Sequence, residues 1–247
     1  MNTVLLIDKP AGWTSFDVVA KVRSELRKQL SVNNQQAKKI KVGHAGTLDP
    51  FATGLLIVLI GDETKNQDSY MKQDKEYVAT LKLGFVSTTG DPEGEIKEIA
   101  ASVQGQALNS PDRREGRPGL VPPRNDVVEN VLKQFLGEIS QIPPIYSAIK
   151  VDGKRAYKLA RAGETPEMKP RLITIHELNI ENYEYPNLKI NVKCSSGTYI
   201  RTLGEDIGKA LNTGAYLTAL RRTKIGEYDV RDALTVDETL STLSSLA

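Results

Sequence analysis

The sequence predicts an α+β fold: a mixed, mostly antiparallel sheet flanked by helices, with an inserted arm. Three observations carry this expectation. Residues 76–84 and 188–194 alternate apolar with polar side chains, the period-two signature of strands with one buried face. Residues 15–30 and 199–211 repeat apolar residues every three or four positions, as amphipathic helices do. Residues 102–125 have no usable periodicity and are rich in Pro, Gly, Arg and Ser, which marks a flexible insertion, not a second core. A chain of 247 residues supports one sizeable core or two small ones. The expected organisation is a single domain over 1–247, with 102–126 leading into an arm that ends near 165.

In order along the chain, Val4-Leu5-Leu6-Ile7 reads as a short buried strand, and Asp8 to Trp13 as a turn by its Pro and Gly. Thr14 with Asp17 three residues on forms a capping-box pattern. Val18, Val22, Leu26 and Leu30 then set an apolar stripe for a helix over 15–30, followed by a polar loop over 31–39. Residues 43–54 hold three glycines and a proline, which excludes a helix or a plain strand. The six apolar residues 55–60 fit a strand buried on both faces. Residues 62–72 are polar and plausibly helical. In strand 76–84, Tyr77, Ala79, Leu81 and Leu83 share one face. Residues 84–94 form a turn, and 127–136 and 155–162 return to helical spacing. Strand 172–180 breaks its alternation near Ile175, so a bulge or register change is expected there. Residues 188–194 alternate cleanly, which explains Cys194 as a core residue. Residues 195–198 make a turn and cap before the helix carrying Ile200, Leu203, Ile207 and Leu211. Residues 215–225 close the core, and 235–246 form a short terminal helix.

Composition narrows the function classes. With 39% hydrophobic and 26% charged residues the chain is ordinary for a soluble globular protein. Its longest apolar run, 55–60, is far too short to span a bilayer, and no secretory signal is visible. A single cysteine excludes an intramolecular disulfide, and two scattered histidines argue against a His/Cys metal site. The expected location is the cytoplasm. Net charge is only +2, yet the basic residues gather locally: Lys38, Lys39 and Lys41; Arg113, Arg114, Arg117 and Arg124; Lys150, Lys154, Arg155, Lys158 and Arg161; Arg221, Arg222 and Lys224. One such cluster is commonly a solvated face, whereas four together favour a polyanionic partner.

The turn-rich segment 43–54 crowds His44, Thr47, Asp49 and Thr53 against the start of a core strand. Asp49 before Pro50 reads either as a turn opener or as a carboxylate held over the core. Arg201 lies in the first turn of its helix, beside the positive end of the macrodipole, which suggests an anion that needs it. Glu205, four residues on, offers a partner in the weaker orientation. Tyr77 reads as a core tyrosine at a strand end, and Lys65 as a solvated lysine able to reach a nucleic-acid backbone.

Gly-His-Ala-Gly-Thr-Leu-Asp-Pro-Phe-Ala-Thr-Gly at 43–54 closely resembles the active-site motif of the TruB-type tRNA pseudouridine synthases, with Phe51 where Leu is usual. Further stretches resemble the same family: Asp-Lys-Pro-Ala-Gly-Trp-Thr-Ser at 8–15, the turn at 84–94 (with Ser87 and Thr88 departing from the pattern), Pro-Pro-Ile-Tyr-Ser-Ala-Ile-Lys at 143–150, Cys-Ser-Ser-Gly-Thr-Tyr-Ile-Arg-Thr-Leu at 194–203, and Ala-Leu-Arg-Arg at 219–222. The resemblance implies a pseudouridine-synthase-like fold whose arm is a thumb closing on RNA. It implies Asp49 as the catalytic aspartate, Arg201 as its charge partner, Tyr77 stacking on the target base, and Tyr199 and Leu220 lining the base pocket. His44 would fill the space left by a flipped base or contact a phosphate, and Lys65, Lys150, Lys154, Arg155, Arg221 and Arg222 would contact RNA. The implied reaction is cofactor-free isomerisation of the T-loop uridine of tRNA, position 55, by a monomer with no membrane and no obligate protein partner. The family's small C-terminal RNA-binding (PUA) domain is not expected in this chain. A guide-RNA-dependent synthase and a non-catalytic tRNA-binding or folding module are the alternatives.

Overall fold

A computed structural model of the chain describes residues 2–32, 40–99 and 122–245. The leading part of the expected arm, most of the 31–39 loop, and the cations Lys38, Lys39, Arg113, Arg114 and Arg117 lie outside the described residues. In chain order the strands are β1 (Thr3–Lys9), β2 (Val42–His44), β3 (Thr53–Ile60), β4 (Lys75–Leu83), β5 (Phe85–Ser87), β6 (Ile96–Glu98), β7 (Gly137–Gln141), β8 (Lys150–Val151), β9 (Lys154–Arg155), β10 (Arg171–Glu184), β11 (Asn187–Cys194), β12 (Ala215–Ile225), β13 (Tyr228–Asp229) and β14 (Leu234–Thr235). The helices are α1 (Ser15–Val32), α2 (Gln67–Met71), α3 (Asn125–Lys133), α4 (Ala156–Arg161), α5 (Ile200–Ala210) and α6 (Val236–Ser245). The fold is α+β with a mixed, mostly antiparallel sheet, as the alternation predicts. The chain divides into two compact units, described here in turn: Met1–Val78, Val192–Gly197 and Ala219–Ala247, then Ala79–Asn191 and Thr198–Thr218.

The first unit is built on β3. Its residues Leu55 to Ile60 are all 0% exposed. Leu56, Val58 and Ile60 pack with Ile7, Val18, Val22, Leu26, Val236 and Leu243, whereas Leu55, Ile57 and Leu59 pack with Ala45, Ile225 and Tyr70. A strand whose neighbours alternate between two cores must be apolar at every position, which accounts for the unbroken run. β1 lies antiparallel to β3 from Thr3↔Ile60 to Lys9↔Gly54, β2 also runs antiparallel to it, and β12 joins it in parallel at Arg221↔Thr53 and Arg222↔Gly54.

Helix α1 starts where its capping box places it. The Thr14 amide and hydroxyl donate to Asp17 Oδ2 at 2.8 and 2.7 Å, and the Asp17 amide donates to Thr14 Oγ1 at 3.0 Å. Thr235 and Glu238 repeat the device at the start of α6. The expected turn at Asp8 begins two residues later, because β1 continues through Lys9. Lys9 is 0% exposed, and its Nζ donates to the carbonyls of Pro10 (2.8 Å) and Trp13 (2.7 Å). A buried ammonium needs such acceptors, so this lysine closes the turn from inside.

In the second unit, Ala79, Leu81 and Leu83 of β4 are fully buried on the expected face. In β10 the buried residues are Ile173, Ile175 and Leu178. The step of three after Ile175 is the register change that the broken alternation predicts. Helix α3 stops at Lys133, earlier than its spacing suggests, since the chain turns at Gly137 (φ 89°) to enter β7 against β10. The strands β8 and β9 form a tight hairpin in which Lys150 pairs with Arg155. Its two turn residues, Asp152 and Gly153, have φ of 50° and 80°, the doubly positive geometry that an Asp-Gly turn accommodates.

Two predictions follow from the first unit. Gly54 has φ +102°, and a Cβ there would lie 2.2 Å from the Arg222 carbonyl oxygen, a backbone atom that cannot yield. Gly54→Ala is expected to lower the unfolding free energy by about 3 kcal/mol or more, read from urea midpoints; an unchanged midpoint would refute this packing. Lys75 is 7% exposed, and burial, then the nearby Arg222 charge, lowers its pKa from 10.5 to about 8. Between those values the unfolded chain binds more protons than the folded one, so stability from this group rises with pH from about 8 to 10.5. The stability difference between wild type and Lys75→Gln should therefore grow by about 2–3 kcal/mol across that window, measured by chemical denaturation.

Candidate active site

The segment 43–54 leaves β2 at His44 and enters β3 at Thr53. Between them, the backbone is tied from several sides. The Ala45 amide donates to the Ile57 carbonyl at 2.9 Å. Ser15 Oγ accepts from the Leu48 amide at 2.8 Å and donates to the Leu48 carbonyl at 3.1 Å. The Pro50 carbonyl accepts from the Gly12 amide (2.8 Å) and from Lys9 Nζ (3.3 Å), and the Ala52 amide donates to the Asp49 carbonyl (3.1 Å). Asp49 thus lies between two pinned neighbours. Its side chain is only half-buried, and no seal of core residues closes over it.

Arg222 completes the ties. It is 2% exposed, and its Nε donates to the Leu55 carbonyl at 2.8 Å, Nη2 to Gly46 at 3.1 Å and Nη1 to Thr47 at 3.4 Å. Its guanidinium also donates to the Tyr77 hydroxyl. Enclosure raises the Tyr77 pKa, the Arg222 charge opposes that rise, and the nearby Asp49 carboxylate adds to it. Burial and then the Arg222 charge lower the pKa of half-buried His44, so its imidazole is neutral at pH 7. His44 Nδ1 is buried without a hydrogen-bond partner among the described residues. Leu220, two positions before Arg222 on β12, is 7% exposed. Five residues singled out from the sequence, His44, Asp49, Tyr77, Leu220 and Arg222, therefore belong to the first unit.

Arg222 differs from its sequence expectation as an RNA contact. Successive strand residues point to opposite faces, so of the Arg221–Arg222 pair only one reaches solvent. Arg221 has a side chain 41% exposed and makes a two-pronged pair with Asp8, at 3.0 and 2.7 Å. Lys65 is 68% exposed and pairs with Asp62 at 2.5 Å. Lys150, Lys154 and Arg155 are all exposed on the β8–β9 hairpin.

The second unit contains Tyr199 and Arg201. Gln141 at the end of β7 fixes the entry to α5, accepting from the Tyr199 amide at 2.8 Å and donating to the Tyr199 carbonyl at 3.1 Å. Arg201 is 6% exposed and pairs with buried Asp91 at 3.2 Å. Its Nη1 donates to the Thr89 carbonyl (3.1 Å) and its Nη2 to the Tyr146 carbonyl (2.9 Å). Asp91 is in turn held by the Thr89 hydroxyl at 2.5 Å and the Glu93 amide at 3.0 Å. The anion that offsets the unfavourable helix-end position of Arg201 in this unit is thus Asp91, which sequence reasoning missed. Glu205 lies nearby, and burial raises its pKa first, against the lowering pull of Lys209. The signal for Asp91 was the glycine-rich turn at 84–94. Ser15, Lys9 and Gln141 gave no signal of this kind, because a buried backbone tie has no sequence spacing of its own. Among the described residues no group of three or more His, Cys, Asp or Glu converges as a metal site.

Comparison with known proteins agrees with this arrangement. The family model described as TruB family pseudouridylate synthase, N-terminal domain, matches residues 32–200, and the tRNA pseudouridylate synthase B C-terminal domain matches 201–245. The tRNA pseudouridine synthase B of Phocaeicola vulgatus is 46% identical over 234 residues, covering 95% of this chain and 90% of that protein. Those of Parabacteroides distasonis and Endomicrobium trichonymphae are 47% and 40% identical, covering 95% and 97% of this chain and 90% and 91% of theirs. Among solved structures, a Cbf5-Nop10-Gar1 complex contains a chain with TM-score 0.65 and 28% identity, and an archaeal box H/ACA sRNP Nop10-Cbf5 complex one with 0.63 and 26%. These matches cover 96% and 97% of this chain, which spans about half the length of each, 53%. With the motif loop, the buried arginines and two family models accounting for residues 32–245, the chain belongs to the TruB family of pseudouridylate synthases.

Proposed function

We propose that the chain is a tRNA pseudouridine synthase that isomerises the T-loop uridine at position 55, with Asp49 as the catalytic residue. The observation that carries this reading is the half-buried Asp49 side chain on a loop tied at Gly46, Thr47, Leu48, Pro50 and Leu55, beside the Tyr77 phenol. In the reaction the C1′–N1 bond breaks, the base turns and a C1′–C5 bond forms. The proton leaves C5 and N1 gains one, so atoms and electrons balance without an oxidant, reductant or cofactor. One ionised carboxylate in a fixed place is what the chemistry asks of the protein.

The uridine must first leave its stack, at a cost of a few kcal/mol. Tyr77 would stack on the everted base, Leu220 and Tyr199 would line its pocket, and neutral His44 would take the space it leaves or meet a phosphate. The family motif assigns Arg201 to the charge of Asp49, and the proposal keeps that assignment. The exposed hairpin cations Lys150, Lys154 and Arg155, with Lys65, would hold the RNA backbone, recognition being mainly of shape and phosphates. Arg221 joins them only by giving up its pair with Asp8. No described helix is long and apolar enough to cross a membrane. The proposed setting is the cytoplasm, with the enzyme acting as a monomer and without a protein partner.

Tritium release from tRNA transcript labelled at uridine C5 tests the assignment. Wild type should release it, and Asp49→Ala should release none while still retaining tRNA on a filter. Equal release by both proteins would falsify the catalytic role. Arg201→Gln should slow release by on the order of 100-fold or more at unchanged tRNA affinity. Replacing Lys150, Lys154 and Arg155 together by Ala should weaken binding and flatten the plot of log affinity against log salt by about one unit of slope per lost phosphate contact. An unaltered slope would remove the hairpin from the RNA interface.

A further inference from the structure

Resting on that functional reading, we infer that Arg222 is a positioning residue for the isomerisation: one buried guanidinium sets the spacing between the Asp49 loop and the Tyr77 phenol. Its acceptors come from three places. Gly46 and Thr47 precede Asp49, Leu55 follows it on β3, and Tyr77 stands on β4. A guanidinium carries five N–H donors in one rigid plane, so bonds made on several of its edges fix their acceptors relative to one another. At 2% exposure, solvent does not compete for these donors. The backbone adds to the constraint, since Arg222 pairs with Gly54 and a single added Cβ at Gly54 would strike it. The loop that carries Asp49 is therefore referenced at both ends to the same side chain that fixes Tyr77.

This arrangement gives Arg222 a task that Lys cannot perform. An ammonium on the same stem keeps the charge but offers three donors from one point, and it cannot span Leu55, Gly46 and Tyr77 together. Because Arg222 donates to the Tyr77 oxygen, the phenol is also left to direct its own O–H elsewhere. A displacement of about 1 Å between reacting groups can slow a reaction by about 100-fold without weakening substrate binding.

Single-turnover tritium release and filter binding of the same tRNA separate the two quantities. Arg222→Lys is expected to lower the release rate by on the order of 100-fold, with the Kd for tRNA within about threefold of wild type. Tyr77→Phe removes one of the tied acceptors, and the double variant should lose no more than the worse single variant, since both break one network. A wild-type rate in Arg222→Lys, a rate loss matched by an equal loss of affinity, or additive losses in the double variant would overturn the inference. A measurement on the wild-type chain is independent of whether the variants fold. The Arg222 Nε–H, assigned by its disappearance in any folded Arg222 variant or by selective labelling, should exchange slowly in nitrogen-15 NMR. Exchange at the rate of free arginine would sink the tie. If wild type releases no tritium, the functional reading fails, and the exchange measurement still decides whether Arg222 holds the loop and the phenol.

Discussion

A cation buried among carbonyl oxygens is the constraint on which the catalytic loop depends. Removing a guanidinium from water is expensive, and Arg222 recovers that expense only if nearly every donor finds an acceptor. Here the acceptors are the loop's own carbonyls, which would otherwise be left unsatisfied by a turn too irregular to bond within itself. Loop and arginine thus satisfy each other. The arrangement also explains why an aspartate can stand at this place without collapsing onto the sheet: its neighbours on both sides are committed to fixed partners.

The same logic recurs at smaller scale. Lys9 closes the first turn by donating to carbonyls at Pro10, Trp13 and Pro50, and Lys75 donates to those of Met71 and Gln73. Each buried cation stabilises an irregular segment that has no ladder to join. In the second unit Arg201 works differently, because it meets a true anion in Asp91 as well as two carbonyls. That pairing offsets the position of a cation at the first turn of α5, where the helix dipole opposes it.

Much of the scaffold was legible from residue spacing. The run Leu55 to Ile60 read as a strand buried on both faces and is one, because no polar side chain can be tolerated between two cores. The capping pattern at Thr14 and Asp17 located the start of α1, and the stumble after Ile175 located the register change in β10. The family motif pointed to Asp49 and its neighbours. What spacing missed were the ties: Ser15 to Leu48, Gln141 to Tyr199, and Asp91 to Arg201. Arg222 was visible as a charge and misread as a surface contact, since adjacent basic residues look alike in sequence and a strand sends them to opposite faces.

Taken alone, then, the amino-acid order determined the elements, the family and the residue types that the chemistry draws on, because periodicity, capping and motif are local properties of the chain. Tertiary structure alone decided which cation turns inward, which acid offsets Arg201, and how the aspartate's loop is held. Those outcomes depend on pairings between residues as far apart as Gly46 and Arg222. Burial selects such pairings by the cost of leaving a charge or a carbonyl unmet, and that cost is set by the packed surroundings and not by sequence neighbours.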